Sequence, residues 1–187
     1  PTLLLGQSIQ TAKESQQIDG TKADGYEVIL NASGDVVKSS LARYLKNLGK
    51  TRMSGDYLTV SDPLIAGKKY TGMFYGSAKP SGTSTAAWIG VPATTMSDAS
   101  GLDRDMEKLV YDFGVAFHRE QIQLQIDESE RALQAVEKQK ARLLNQNKDL
   151  NSKVENNKRE KIQLEKALVD NKLELEDLNK RLVLIAK

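Results

Sequence analysis

The sequence predicts an α+β protein: a two-layer β-α-β-β-β-α head followed by a long C-terminal coiled-coil helix. Three observations predict it. All the aromatic residues (Trp88, six Tyr and three Phe) lie before His118, so a packed core belongs to the N-terminal part. Within that part, segments of period two alternate with segments of helical period. No Gly or Pro follows Gly114, and aliphatic residues then recur at steps of four and three from Ile122 to Ile185.

The elements follow in order. Residues 1–6 are expected to be a signal-peptide remnant, because the apolar run Leu3-Leu4-Leu5 precedes a small residue and then polar sequence. Cleavage after Gly6 would leave Gln7 first; a short strand or hydrophobic arm is the alternative. Residues 7–24 are polar and without periodicity, and are expected to be an arm or linker. Residues 25–118 form the head. Its first strand is Gly25-Tyr26-Glu27-Val28-Ile29-Leu30, with Tyr26, Val28 and Leu30 on one face.

Ser33 or Asp35 can cap a helix running from Val36 to Leu48. Val37, Leu41, Tyr44, Leu45 and Leu48 give it an apolar stripe, and Gly49 is the expected stop. A strand is expected from Met53 to Val60, broken by Asp62-Pro63. A third strand runs from Lys68 to Ser77 and a fourth from Thr83 to Val91, joined as a hairpin through Lys79-Pro80-Ser81-Gly82. Residues 94–101 read as loop. Leu102, Met106, Leu109, Val110, Phe113 and Phe117 then give a closing helix one apolar face, expected to lie on the sheet.

Residues 119–187 are expected to be the coiled coil. Two interleaved seven-residue series carry it. One, assigned to position a, contains Ile122, Val136, Leu143, Leu150, Leu164, Leu178 and Ile185, with Ser129, Asn157 and Asn171 interposed. The other contains Ile126, Leu133, Val154, Leu168, Leu175 and Leu182, with Lys140, Asn147 and Lys161 interposed. Thirteen of the nineteen positions are aliphatic, which imposes a left-handed supercoil. The polar ones cluster between Lys140 and Lys161, a weaker and register-setting middle. Asn145-Gln146-Asn147-Lys148-Asp149 is turn-prone, so an antiparallel hairpin competes with one continuous helix. Against the hairpin, the segment has no Gly or Pro and the heptad phase runs through it unbroken. Exposed pairs such as Glu155–Arg159 and Glu176–Lys180 would support a solitary helix, but they leave the aliphatic series unexplained.

Charge is nearly balanced, 27 basic against 25 acidic residues, with 15 and 13 of these from Arg119 onward. No basic face is concentrated, which argues against nucleic-acid binding. The absence of cysteine removes disulfides, thiolate catalysis and Cys-ligated zinc. His118, the only histidine, has no nucleophile or ligand set beside it in the sequence. Residues 76–82 have the wrong glycine spacing for a phosphate loop. Asp103, Asp105 and Glu107 could hold a cation, but a helix N-terminal dipole explains them as well. Asn31-Ala32-Ser33 fits a glycosylation acceptor if the source is eukaryotic. Tyr75 falls on the face opposite Phe74 and is the aromatic expected at the head surface. No stretch approaches the about 20 apolar residues that span a bilayer.

The Gly25–Leu30 strand, the Leu109-Val110-Tyr111-Asp112-Phe113 helix and the signal-like start together resemble uncharacterised exported bacterial proteins with a small α/β head and a C-terminal coiled coil. The resemblance implies a periplasmic or cell-envelope location and carries over no active-site residue. The expected role is a non-enzymatic envelope protein without cofactor or metal. Its coil forms a homo-oligomer, a parallel dimer being favoured, or docks on a helical partner, and its head binds a protein or wall component. The alternative is a small-molecule or lipid-binding head with the coil as spacer.

Overall fold

A computed structural model describes residues 9–93, 95 and 101–185. The expected signal remnant and most of the 94–101 loop lie outside the described residues. The chain divides into two units, residues 1–125 and 126–187. Among the described residues, the first holds eight strands, the helix Gly34–Lys46 and the start of a long helix; the second holds the rest of that helix.

Six strands form one antiparallel sheet in the order β1-β2-β8-β7-β4-β3. They are β1 (Thr11–Ile18), β2 (Thr21–Leu30), β3 (Lys50–Ser54), β4 (Tyr57–Ser61), β7 (Met73–Ser81) and β8 (Ser84–Pro92). The pair β5 (Leu64–Ile65) and β6 (Lys68–Lys69) makes a separate two-stranded ribbon. The helices are α1 (Gly34–Lys46) and α2 (Leu102–Ile185). The α+β class holds, with more strands than the sequence suggested.

Three expectations are corrected. The strand expected from Lys68 to Ser77 is broken: Lys68–Lys69 pair in the ribbon, and β7 begins at Met73. The polar arm is a strand: β1 pairs with β2 from Thr11↔Val28 to Ile18↔Thr21. Most of its side chains are exposed, so it carries no apolar alternation to read. The strand expected from Met53 to Val60 is a hairpin, β3 and β4, turning at Gly55-Asp56. Gly55 has φ +57°, which a hairpin turn requires and glycine supplies without strain.

The core lies between the sheet and the helices. Tyr26, Val28 and Leu30 of β2 point into it as expected, with Phe74 of β7 and Ile89 of β8. Val37, Leu41 and Leu45 of α1 and the whole expected face of α2, Leu102 to Phe117, complete it. The Tyr44 and Phe113 rings, 5.3 Å apart, join the two helices. Ser33 stands at the N-cap of α1, but its side chain makes no capping bond; its carbonyl accepts from the Val37 amide.

The other face of the sheet carries a second, smaller core around Trp88, with Ile18, Ala23, Tyr57 and Tyr75. Trp88 is fully buried because β1 bends over it. The Trp88 Nε1–H donates to the Glu14 carbonyl, and Tyr57 OH donates to the Gln17 carbonyl. Gln16 Oε1 accepts from Ser77 Oγ and Lys79 Nζ. The indole lies where a Cβ on Gly90 would stand, 2.1 Å from its ring, so only glycine fits there.

Candidate interaction surface

The acidic cluster at the start of α2 is a set of anchors to the head. Asp103 accepts from Lys13 Nζ at 2.6 Å and from Tyr26 OH at 3.0 Å. Asp105 accepts from Tyr70 OH at 2.5 Å, with Lys68 Nζ at 3.5 Å. Glu107 accepts from Thr11 Oγ1 at 3.4 Å. The Lys13 hydrogen bond holds Asp103 below the usual carboxylate range, and the Tyr70 hydrogen bond does the same for Asp105. The same bond pushes the Tyr70 phenol up to about 12. Burial pushes Tyr44 up to about 12 as well. Further along, Glu120 accepts from Ser40 Oγ and pairs with Arg43 at 2.6 Å, tying α1 to α2. These carboxylates are occupied by protein donors, and among the described residues no group of His, Asp and Glu could hold a metal ion.

His118 is half-buried, edge-on to Phe117 at 6.0 Å between ring centroids. Tyr75 is half-buried rather than a free surface aromatic: it packs against the Trp88 cluster, edge-on to Tyr57 at 6.4 Å. Residues 76–82 are strand and hairpin turn.

From Ile126 the described residues are one unbroken helix, through Asn145–Asp149, so the hairpin is not formed. Its expected seam positions keep their heptad spacing along the helix. The described seam aliphatics, Ile122 to Leu182, are between 44% and 66% exposed in the single chain. The side chain of Ile185 lies outside the described residues. A step of four leads from Ile122 to Ile126 and a step of three onward. The Ile126 series therefore takes position a and the Ile122 series position d, the reverse of the expected assignment. Asn147, Lys140 and Lys161 are thus a residues. Lys161 leans to Glu165, 3.7 Å away, which lets a seam lysine keep its charge in water. The expected pairs Glu155–Arg159 and Glu176–Lys180 give way to Glu155–Lys158 at 2.8 Å and Asp177–Arg181 at 2.9 Å. All are exposed and contribute tenths of a kcal/mol at most, roughly.

Sequence periodicity missed a second set of aliphatics. Ile162, Val169 and Leu173 are 65%, 56% and 60% exposed. At 3.6 residues per turn they lie roughly 100–160° around the helix from Leu168 and Leu175. Reading the chain by angle rather than by heptad would have found them.

No protein-family model, curated protein or solved structure matches this chain. Among the described residues no helix is long and apolar enough to cross a membrane.

Proposed function

We propose that this is a non-enzymatic cell-envelope protein that self-associates through the α2 seam and presents the head as its binding part. One observation carries the reading: a dozen aliphatic side chains at heptad spacing stand about half exposed on one helix. Each such side chain contributes roughly 1.5–3 kcal/mol when fully buried, far more than the exposed ion pairs beside it. A second copy of the same seam buries them at once, and a parallel dimer in register sets Asn147 against Asn147. A helical partner protein would meet the same need. The envelope location rests on Leu3-Leu4-Leu5 and the resemblance. A structural head is favoured over a small-molecule carrier because Leu41, Phe74, Met106, Phe113 and Phe117 fill the space between sheet and helices. Size-exclusion chromatography with light scattering tests the proposal. An assembly at micromolar concentration supports it, and a strictly monomeric chain without a copurifying helical partner removes it.

A further inference from the structure

We propose that the outer edge of β3 accepts an acidic, extended peptide as an added strand. This rests on the reading of the head as the binding part. β3 is the last strand of the sheet, paired only with β4. The turn at Gly55-Asp56 closes on the pair Ser54↔Tyr57, and Arg52↔Thr59 and Lys50↔Ser61 share its phase. Those residues spend their backbone groups on β4, so the amides and carbonyls of Thr51 and Met53 face outward.

The edge is also shaped. An open groove of about 580 Å³ runs along it, bounded by Ala42 and Lys46 of α1 and floored by Leu58. Met53, opposite Leu58, faces the α1 side and is 56% exposed. Lys50 and Arg52 alternate onto the other face. Among the described residues, Lys46, Lys50 and Arg52 form no ion pair, and Thr51, Arg52 and Met53 have no strand beyond them.

Cations on an edge strand commonly serve to repel other edges. Here they exclude one partner and select another. A second copy of β3 would set Arg52 and Lys50 against their own kind, and like charges directly opposite are destabilising. An acidic strand meets attraction instead. Alternation adds a preference for carboxylates toward Lys50 and Arg52 and for apolar side chains toward Met53 and Leu58.

The test uses the full chain and a fluorescein-labelled peptide of alternating glutamate and valine, about seven residues long. Anisotropy gives its affinity, and hydrogen exchange follows the Thr51 and Met53 amides. Binding is expected, with slowed exchange at both amides. N-methylation of the peptide backbone, or Thr51→Pro in the protein, should each weaken it by about tenfold or more, since the ladder needs those donors. Lys50→Glu with Arg52→Glu should turn the preference to a lysine–valine peptide. Binding that survives N-methylation would be charge adsorption alone and would overturn the proposal, as would no binding. Light scattering on the same sample keeps the two readings apart: a chain that assembles but ignores the peptide loses this site and keeps its seam.

Discussion

The head and the helical tail use the same aliphatic residues in opposite ways. In the head, Leu30, Val37, Leu41, Val91 and Leu102 are wholly buried by the chain's own sheet and helices. In the tail, Leu133, Leu150, Leu168 and Leu182 each remain more than half exposed. A fold that buries its own apolar surface needs nothing further. A periodic apolar line that stays in water is addressed to another molecule. The two regions should therefore fail independently.

The largest effect belongs to the seam. Leu168→Lys with Leu175→Lys places charges in two successive a layers of the seam and should abolish assembly. The thermal transition followed by Trp88, the sole tryptophan, should stay where it was. Unchanged assembly would sink the seam, and a lowered Trp88 transition would show that the head leans on the tail.

Gly90→Ala reverses the experiment. Its Cβ would stand 2.1 Å from the Trp88 ring and 2.8 Å from the Asp24 carbonyl oxygen. Neither backbone nor a fully buried indole can yield, so the head should lose about 3 kcal/mol or more, the upper part of the overpacking range. Denaturation followed by Trp88 fluorescence measures it. The mass of the assembly should not change.

Salt gives a smaller effect with a definite sign. Parallel pairing in register brings Lys153 against the second copy's Lys158 and Glu160 against its Glu165, with Lys140 and Lys161 meeting themselves at the seam. Screening relieves all of these, so association should tighten a few-fold between about 0.05 and 0.5 M salt. Antiparallel pairing about the middle of the tail would set Lys153 against Glu160 and weaken with salt.

The smallest effect is the pH dependence of the head. Asp103 and Asp105 have folded pKa values below 3.8, so their contribution is present above 3.8 and is lost as pH falls through the folded values. Tyr70 has its pKa raised from 10.0 to about 12, so its contribution is complete below 10.0 and is lost as pH rises toward about 12. The contribution of these three groups should be constant between these limits. Asp105→Asn should flatten the acid limb and remove part of the alkaline one, which denaturation at several pH values would show.

Much of this was readable in the sequence, for physical reasons that also mark where reading stopped. Tyr26, Val28 and Leu30, and the α2 face from Leu102 to Phe117, announce themselves because a one-sided core imposes a period. β1 did not, because an edge strand held by its backbone and by Gln16 and Glu14 contacts needs no apolar alternation. β3 and β4 look like one strand in the sequence because Gly55-Asp56 is a compact turn between two mildly polar strands. Losing that turn also hid the open edge of β3. In the tail the heptad is plain, whereas Ile162, Val169 and Leu173 fall outside its two seam series. The partner was not legible, since a seam specifies a complementary surface and leaves its owner open.

The contact between two seams has one direct test. The chain contains no cysteine, so Asn147→Cys introduces a single thiol at an a position. The expected result under mild oxidation is a covalent dimer through Cβ atoms brought close across a parallel, in-register seam. The Leu168→Lys, Leu175→Lys background should prevent it. A thiol that stays reduced and monomeric while the chain is concentrated would contradict the parallel seam on which this account rests.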